Sequence, residues 1–364
     1  MSVDIGYTGY YMKILENVSL APYTSLSCGG EARYFAECST AEELVEAVKF
    51  LPKELLTILG YGTNSLISDS GLPGLTIVLR GGEVAFENTL LIADAGVWWD
   101  DLIAAANNRK LWGLELTNGV PSSVGGAIMG NIAAYGQQVS DRLVWIDVLD
   151  RKTLEVKRVP ADEINFAYRK SSLQELSEII IVKAAFQLSE TITTQLTYAS
   201  ALKVAEELSL DPNKLEARAK IILEARRRAG SLYEVDGAEQ PRTAGSFFKN
   251  PVVTPEQVEQ IIAHEERAVG HSSILSQNTV HGGNSHRVSA AHVLLAAGFS
   301  RGQTWGNVRL HPKHILKIEN IGTATSREIY DVAQYIVATV KKTLDVTLEP
   351  EVKFLGEFEG VKIK

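Results

Sequence analysis

The chain has 364 residues, 45% hydrophobic and 22% charged, which is enough for two or three domains with ordinary cores. Its 36 basic and 44 acidic residues give a net charge of −8, which argues against a dedicated nucleic-acid-binding protein, because such proteins usually carry a basic surplus. There are too few cysteines for a disulfide framework, and neither a signal peptide nor a membrane span is visible, so we expect a cytoplasmic protein.

The first predicted elements form a small βαβ unit. Glu31–Cys38 is predicted to be a strand, and Thr40 with Glu43 forms a capping box at the start of a helix. The buried strand LLTILG then leads directly into a turn at Gly60. This turn is the first candidate site.

The turn, LGYGTNSLISDSGLPG, begins like a dinucleotide-binding fingerprint and does not complete it. Gly60 and Gly62 have the right spacing, but Ser65 occupies the third glycine position, and no acidic residue follows where the pattern requires one. Glycines permit close approach of a ligand, and Thr63 and Asn64 add a hydroxyl and an amide. Such a loop can hold a pyrophosphate through backbone N–H groups without a helix terminus, although a plain surface turn explains it equally well.

A second glycine-rich segment follows the strands LTIVLRGG and TLLIADAG and a helix, WDDLIAAANNRKLWG, for which we predict Asp100 as the cap. The segment, 116–140, is nearly uncharged. Its glycines and intervening residues include Gly119, Pro121, Ser122, Ser123, Gly125, Gly126, Gly130, Asn131, Tyr135 and Gly136. A loose loop of this length without charges would solvate poorly, so we expect it to be buried against a large, flat ligand. Together the two segments indicate a flavin-binding fold other than the Rossmann fold.

Three more strands are predicted at LVWIDVLD, EVKRV and EIIIVKAAFQL. Helices are expected at Tyr198–Leu208 and Asp211–Arg228, the second with Asp211 as cap and Pro212 in its first turn. The polar, turn-prone stretch 230–245 then predicts a domain boundary.

The remainder predicts three helices and a terminal strand, VTLEPEVKFLG. Thr254 begins the capping sequence of the first helix, Val288–Ala297 is the second, and Thr325 with Glu328 caps the third. The histidines of this part show no compact ligand spacing, and we expect no metal site. They are His264, His271, His281 and His286.

Three short motifs could carry chemistry. Arg169 lies in AYRKSS at a strand end, where a surface charge is the simpler explanation. Ser246 lies in AGSFFKNP, whose aromatic residues would usually be core, yet Gly245 before it and the Asn-Pro pair after it indicate a constrained segment that presents the serine. Glu351 lies in LEPEV, where an exposed tail carboxylate is the alternative.

In this order, LGYGTNSLISDSGLPG, NGVPSSVGGAIMGNIAAYG, YRKS, GSFFKNP and LEPEV resemble the UDP-N-acetylenolpyruvoylglucosamine reductases, the MurB family, over nearly the whole chain. GSFFKNP is the most specific motif. LTYAS, which contains Tyr198, is similar to the version of the family with an extra substrate-covering loop. The resemblance implies an α+β, FAD-binding fold of the vanillyl-alcohol-oxidase/PCMH type. We expect two α+β FAD-binding subdomains at 1–82 and 83–229, and a smaller C-terminal α+β substrate domain at 230–364.

The resemblance implies that NADPH reduces a non-covalently bound FAD, after which UDP-N-acetylglucosamine enolpyruvate is reduced to UDP-N-acetylmuramate for peptidoglycan synthesis. Arg169 and Glu351 match the residues that stabilise the developing negative charge, and Ser246 matches the acid. The implied FAD-binding residues are Gly60, Tyr61, Gly62, Thr63, Asn64, Ser65, Gly119, Pro121, Ser122, Ser123, Gly125, Gly126, Asn131, Tyr135 and Gly136. The implied substrate-binding residues are Tyr135, Tyr168, Tyr198, Arg227, Arg228, Lys249 and Asn250. We expect small-molecule partners only, and a monomer.

The sequence departs from the family pattern at several positions. GYGT places Tyr61 and Thr63 where the family has glycine and serine, and Ser122 replaces a glycine. Ala229 stands where the family has a lysine for the substrate diphosphate, so Arg227 or Arg228 would have to substitute.

Two other functions remain. Another FAD-dependent sugar or alcohol oxidoreductase of the same fold would often tether its flavin through His or Cys, which neither glycine-rich segment contains. A non-catalytic flavin- or nucleotide-sugar-binding protein would not need Arg169, Ser246 and Glu351 together.

Overall fold

The computed structural model describes residues 3–7, 10–51, 54–233, 241–271, 279–280, 286–358 and 361–362. The α-helices are α1 (Ala41–Phe50), α2 (Trp99–Asn108), α3 (Val124–Met129), α4 (Ala199–Glu207), α5 (Leu215–Arg228), α6 (Pro255–Val269), α7 (Ala290–Ala296) and α8 (Ser326–Leu344). The strands are β1 (Val3–Tyr7), β2 (Tyr10–Ser19), β3 (Glu31–Cys38), β4 (Leu56–Leu59), β5 (Ser65–Ile67), β6 (Leu72–Leu79), β7 (Val84–Glu87), β8 (Leu90–Asp94), β9 (Ala133–Ala134), β10 (Gln137–Gln138), β11 (Leu143–Asp150), β12 (Val156–Pro160), β13 (Phe166–Ala167), β14 (Lys170–Ser171), β15 (Ile179–Gln187), β16 (Val252–Val253), β17 (Thr279–Val280), β18 (His286–Arg287), β19 (Thr304–Trp305), β20 (Val308–Leu310), β21 (Ile318–Asn320), β22 (Lys353–Leu355), β23 (Glu357–Phe358) and β24 (Val361–Lys362). Short 3-10 helices lie at Ala21–Tyr23, Glu115–Thr117, Val139–Asp141, Ala161–Glu163 and Ser172–Glu175.

The chain forms two compact units. Unit 1 consists of Met1–Val18, Ala32–Tyr61 and Pro73–Ala238. Unit 2 consists of Ser19–Glu31, Gly62–Leu72 and Glu239–Lys364. The boundary therefore falls inside the first glycine-rich turn, between Tyr61 and Gly62, and each unit is described separately below.

Unit 1 contains two five-stranded sheets. The first has the order β1-β2-β3-β6-β4, with β4 parallel to β6. The second has the order β12-β11-β15-β8-β7 and is antiparallel throughout. The core of the unit includes Trp99 and Phe186, whose rings lie 5.8 Å apart, and both side chains are fully buried. The predicted capping box at Thr40 and Glu43 is present at the start of α1.

The start of α2 differs from the prediction. Its N-cap is Trp98, and Asp100 already lies in the first turn. The Asp100 carboxylate accepts a hydrogen bond from the backbone N of Gly119 at 2.7 Å instead. The predicted cap was wrong because this carboxylate serves a contact with the second glycine-rich segment, which sequence spacing cannot reveal.

The start of α5 was also predicted too early. The helix begins at Leu215, after the N-cap Lys214. Asp211 accepts a hydrogen bond from the backbone N of Asn213 at 2.9 Å and so closes a local turn. An aspartate can stabilise a turn of this kind in place of a helix start, and here the turn forms.

The described residues of unit 2 combine three α-helices with small sheets. β16, β18 and β17 form one, β19, β20 and β21 another, and β22 pairs with β5 in parallel. Phe247 and Phe248 lie in its core with relative exposures of 0% and 1%. The predicted capping boxes at Thr254 and Thr325 are both present.

The predicted terminal strand is shorter than expected, because β22 begins only at Lys353. Pro350 has no backbone N–H and makes an isolated pairing with Phe248. The helix predicted at Val288–Ala297 is present as α7, which begins after the N-cap Ser289. Residues 234–240 of the predicted boundary stretch lie outside the described residues. Within the described part of the chain, none of the helices has the length and apolarity that crossing a bilayer requires.

Candidate functional site

Gly60 lies at the end of β4 in unit 1, where there is no room for a side chain. A Cβ atom here would be 2.6 Å from Oγ of Ser123. The Gly60 carbonyl accepts a hydrogen bond from Nε of Arg80 at 2.9 Å, and the Arg80 guanidinium lies 5.0 Å from the ring centre of Tyr61. The Tyr61 ring packs edge-on against Trp98 at 4.5 Å. Tyr61 therefore departs from the family glycine by adding a ring that packs within unit 1.

The second glycine-rich segment was predicted to be a loop, but it contains the helix α3. Oγ of Ser123 accepts a hydrogen bond from the backbone N of Gly126 at 3.1 Å and caps this helix. Glycine is a poor helix former, so Gly125 and Gly126 conceal the helix from propensity reasoning. The sequence signal for this helix was Ser123, a good N-cap residue, placed shortly before the apolar pair Ala127 and Ile128.

A cavity of about 150 Å³ lies in unit 1 between the two glycine-rich segments. It is lined by Ile58, Gly60, Leu79, Ala95, Ser123, Gly125, Gly126, Met129, Ile179, Ile180 and Ile181. A Cβ on Gly126 would approach Oγ of Ser122 to 2.9 Å, so a larger residue here would force that side chain to move. An apolar cavity bordered by bare backbone and one serine, Ser123, fits part of a flavin dinucleotide.

Gly62, in unit 2, is required for a different reason. Its φ is +63°, and a Cβ would lie 2.0 Å from the carbonyl oxygen of Tyr23. The Gly62 carbonyl accepts a hydrogen bond from the backbone N of Ser25 at 3.2 Å. Both the left-handed conformation and the close backbone contact exclude other residues here.

Asn64 connects the same turn to Glu351 within unit 2. Its Nδ2 donates to the Glu351 carbonyl at 3.3 Å, and its own carbonyl accepts from the backbone N of Lys353 at 3.0 Å. Ser65 begins β5, which continues this pairing with β22. Thr63 is half-buried between Gly62 and Asn64.

Ser246 and Glu351 lie on neighbouring backbone segments in unit 2. The backbone N of Glu351 donates to the carbonyl of Phe247 at 2.8 Å, and the backbone N of Phe247 donates to the carbonyl of Leu316. Gly245, with φ +74°, precedes the serine, and its N–H donates to Oγ1 of Thr243. Two predicted site residues from distant parts of the sequence are thus brought together.

Lys249 and Asn250 follow on the same segment. Nζ of Lys249 lies 3.4 Å from the Glu349 carboxylate. Oδ1 of Asn250 accepts a hydrogen bond from the backbone N of Ala290 at 2.9 Å, at the start of α7. Asn250 therefore also has a role in holding the GSFFKNP segment against this helix.

Arg169 occupies a hairpin turn between β13 and β14, and not a strand end as predicted. Its φ is +55°, and its Nη1 donates to the carbonyl of Ala133 at 3.1 Å. Asn131 holds the same hairpin, because its Nδ2 donates to the Ala167 carbonyl at 3.2 Å. The neighbouring Tyr168 ring is exposed.

Tyr135 and Tyr198 meet in unit 1, with ring centres 5.4 Å apart at 75°. Gly136 follows Tyr135 with a φ of +86°, and a Cβ there would make only ordinary contact, at 3.8 Å, with Cε2 of Tyr198. Burial raises the pKa of the Tyr135 phenol, and the positive charge of Arg226 opposes that shift. Tyr198 remains 49% exposed and lies directly before α4.

The arginines at the end of α5 divide into two groups. Arg227 and Arg228 both pair with Glu224, and Arg228 also pairs with Glu207. Arg226 points the other way. Its Nε donates to the carbonyl of Gly119 at 3.1 Å.

Sequence reasoning missed Arg226. Burial lowers the pKa of its guanidinium, and the charges of Tyr135, Asp100 and Arg169 also act on it. Helical periodicity could have indicated that Arg226 faces inward, because it lies four residues after the buried Ile222 and so shares its face of α5. Among the described residues, no three His, Cys, Asp or Glu side chains are grouped to hold a metal, and His281 lies outside them.

Comparisons with known proteins identify the family of the chain. Residues 237–355 match the UDP-N-acetylenolpyruvoylglucosamine reductase C-terminal domain, and residues 32–158 match an FAD-binding domain. UDP-N-acetylenolpyruvoylglucosamine reductase 2 of Corynebacterium glutamicum is 31% identical over 351 residues, covering 93% of this chain and 93% of that one. The reductase of Mycobacterium marinum is 30% identical over 370 residues, covering 97% and 98%.

The solved reductase structure from Thermus caldophilus aligns with a TM-score of 0.64 and 23% identity, covering 95% of this chain and all of that one. Together with the FAD-binding match, this confirms the predicted α+β fold class of the vanillyl-alcohol-oxidase/PCMH type. The resemblance carried by the short motifs is likewise confirmed. The chain belongs to the UDP-N-acetylenolpyruvoylglucosamine reductase family.

Proposed function

We propose that this chain reduces UDP-N-acetylglucosamine enolpyruvate to UDP-N-acetylmuramate, with FAD as its bound cofactor and NADPH as the reductant, in peptidoglycan precursor synthesis. The chain belongs to this reductase family, and one observation in unit 2 carries the proposal. There Glu351 donates its backbone N–H to Phe247, so the GSFFKNP and LEPEV segments lie side by side. Two motifs about 100 residues apart then serve one reaction.

The residues around the unit 1 cavity fit FAD. A Cβ on Gly60, Gly125 or Gly126 would lie within 3.1 Å of a neighbouring protein atom, so each presents bare backbone at the cavity, and Ser123 lines the cavity beside them. When bound, FAD takes a hydride from NADPH and supplies it to the vinyl carbon of the enolpyruvyl group. Neither glycine-rich segment offers a His or Cys for a covalent link, which supports non-covalent binding.

Arg169 and Glu351 are assigned to charge stabilisation. Hydride addition at C3 places negative charge at C2 and in the attached carboxylate. The planar guanidinium of Arg169, oriented by the Ala133 carbonyl, suits a carboxylate partner. A protonated Glu351 would donate a hydrogen bond to the same developing charge, and donors placed in advance lower the barrier.

Ser246 is assigned to protonation at C2. A serine hydroxyl is a weak acid, so its proton must move together with the growth of negative charge and be replaced through a hydrogen-bonded neighbour. Gly245 supports this role because its left-handed φ of +74° turns the backbone directly before the serine.

Substrate binding is assigned to the remaining predicted residues, Tyr135, Tyr168, Tyr198, Arg227, Arg228, Lys249 and Asn250. The half-exposed ring of Tyr198 is suited to covering a bound sugar. Arg227 and Arg228 would have to leave Glu224 to reach a diphosphate. The proposal includes the three domains at 1–82, 83–229 and 230–364, a cytoplasmic location and a monomer.

Product analysis tests the proposed function. Purified protein with NADPH and the enolpyruvyl sugar nucleotide should consume both and give a product heavier by one hydride and one proton. In D₂O the product should carry one deuterium at C2. A flavin that is instead reduced by simple sugars or alcohols and reoxidised by oxygen would favour the rival oxidoreductase. A chain that binds the nucleotide without turnover would favour the binding protein.

A further inference from the structure

Arg218 is a fully buried cation in α5, with a relative exposure of 0%. Its Nε donates to the carbonyl of Pro212 at 2.8 Å. Its Nη1 donates both to Oε1 of Glu115 at 3.0 Å and to the carbonyl of Thr194 at 2.7 Å. The guanidinium carbon lies 4.9 Å from the ring centre of Trp112. One side chain therefore contacts three separate stretches of unit 1, around residues 112–115, 194 and 212.

Glu115 extends this network into the second glycine-rich segment. Its Oε2 accepts a hydrogen bond from the backbone N of Gly113 at 2.8 Å and lies 3.5 Å from Nε2 of Gln137. Oε1 of Gln137 accepts from the backbone N of Leu116 at 2.9 Å. Glu115 and Gln137 are each 1% exposed, so this polar network is closed to water.

The carbonyls bound by Arg218 bracket one helix. Thr194 precedes α4 and Pro212 follows it, and Tyr198 lies at the start of that helix. On the other side of the network, Gln137 lies on β10, the strand that follows the Tyr135 turn. The network thus reaches the backbone on both sides of the contact between the two tyrosine rings.

We propose that Arg218 is a positioning residue that sets Tyr198 against Tyr135, with Glu115 as its counter-charge. Among the described residues, Nη2 of this buried guanidinium already lacks an acceptor, so losing any of the other three would leave still more charge and hydrogen-bonding capacity unmatched, and the three acceptors are held in one arrangement. Both ends of the α4 segment are fixed in this way, and the tyrosine between them is placed for the sugar nucleotide. This inference rests on the proposed role of Tyr198.

The test compares Arg218→Met with Lys220→Met, which changes an exposed basic residue of the same helix. In Arg218→Met we expect the KM for the enolpyruvyl sugar nucleotide to rise roughly tenfold or more, with flavin content and the rate of flavin reduction by NADPH within about twofold. Lys220→Met should match the wild type in all three. Adding Tyr198→Phe should raise KM further in Lys220→Met and leave it nearly unchanged in Arg218→Met, since the ring is already misplaced. Additive effects in both backgrounds would overturn the proposal.

Hydrogen exchange supplies a readout that does not depend on turnover. Peptides covering 190–214 should exchange faster in Arg218→Met, while peptides from α8 stay unchanged. Unchanged exchange in 190–214 would overturn the proposal whatever the substrate proves to be, whereas an inactive wild type with the expected exchange pattern would overturn only the proposed function.

If Arg218→Met does not fold, Arg218→Lys and Glu115→Gln take its place with the same expectations. If flavin content falls and both half-reactions slow by the same factor as KM rises, Arg218 and Glu115 have only a structural role.

Discussion

In unit 1, Gly60 lies so close to Ser123 that a Cβ would be 2.6 Å from its hydroxyl, whereas in unit 2 the position of a Cβ on Gly245 has nothing within 4 Å. The first glycine is needed for space and the second for its φ of +74°, which turns the backbone before Ser246. Close packing at Gly60 shapes a surface that a ligand can contact, whereas the backbone turn at Gly245 sets the direction of the Ser246 side chain. The Gly60 turn and the Ser246 segment should therefore fail differently when altered, the first in cofactor binding and the second in chemistry.

The largest effect should come from Ser246→Ala. Flavin content and flavin reduction by NADPH should remain near normal, because neither needs a proton from this hydroxyl. Reoxidation by the enolpyruvyl substrate should slow by roughly 10²–10⁴-fold, the usual contribution of a positioned acid. Stopped-flow absorbance of the two half-reactions measures this, with Ser300→Ala, an exposed serine of the same unit, as the control.

A normal second half-reaction in Ser246→Ala would remove the serine from the mechanism. Equal slowing of both half-reactions would point to damaged packing of Phe247 and Phe248, the core residues beside it.

Gly60→Ala should weaken flavin binding. The added methyl group meets Oγ of Ser123, the residue that caps α3, so the cavity wall must shift. Overpacking of this kind typically costs about 1–3 kcal/mol, which corresponds to a rise of roughly 5- to 150-fold in the Kd for FAD. Fluorescence titration of the apoprotein with FAD measures it.

Gly130→Ala is the matched control for this change. A Cβ at Gly130 would have its nearest neighbour at 3.5 Å, which is ordinary contact, and the Kd should not move. Equal effects of the two alanines would mean that Gly60 does not border the cofactor.

Tyr198→Phe should have a smaller effect. Loss of one hydroxyl hydrogen bond to the substrate is worth about 1 kcal/mol, or roughly a fivefold rise in KM for the sugar nucleotide. Flavin reduction by NADPH should change less. Steady-state and stopped-flow measurements on one preparation separate the two, and equal changes would place the tyrosine outside the substrate cover.

Asp100→Asn should give the smallest effect, seen in the pH dependence of stability. Burial raises the pKa of this carboxyl from 3.8 to about 6. Between these values the folded state keeps a proton that the unfolded state has lost, so the wild type loses stability as pH rises through this window. Asparagine does not titrate and can still accept the hydrogen bond from Gly119.

The Tm of Asp100→Asn minus that of the wild type should therefore increase by about 2–4 °C between about pH 4.5 and about pH 7. A difference that stays constant or shrinks with rising pH would contradict the assigned pKa. Differential scanning calorimetry at several pH values provides the comparison.

Local signals predicted much of this molecule. The capping boxes at Thr40, Thr254 and Thr325 are present because each depends only on residues three positions apart. The family motifs predicted the fold class and the cofactor. Two helix starts were wrong where an aspartate, Asp100 or Asp211, has a different partner from the one its position suggests.

What the sequence could not predict are contacts between distant residues. Arg218 and Glu115 lie far apart in sequence, and although Arg218 is four residues before the buried Ile222, helical spacing does not identify Glu115 as its partner. The outward pairing of Arg227 and Arg228 with Glu224, against the inward direction of Arg226, depends on which face of α5 is covered. Helical spacing shows which residues share a face of α5, but the covered face is known only once the neighbouring elements are placed.

Anaerobic titration of the wild-type protein tests the central claim most directly. Purified protein should be yellow, NADPH should bleach its flavin absorbance, and the enolpyruvyl sugar nucleotide should then restore it with one equivalent of UDP-N-acetylmuramate formed. Bleaching by NADPH that the sugar nucleotide does not reverse would contradict the account.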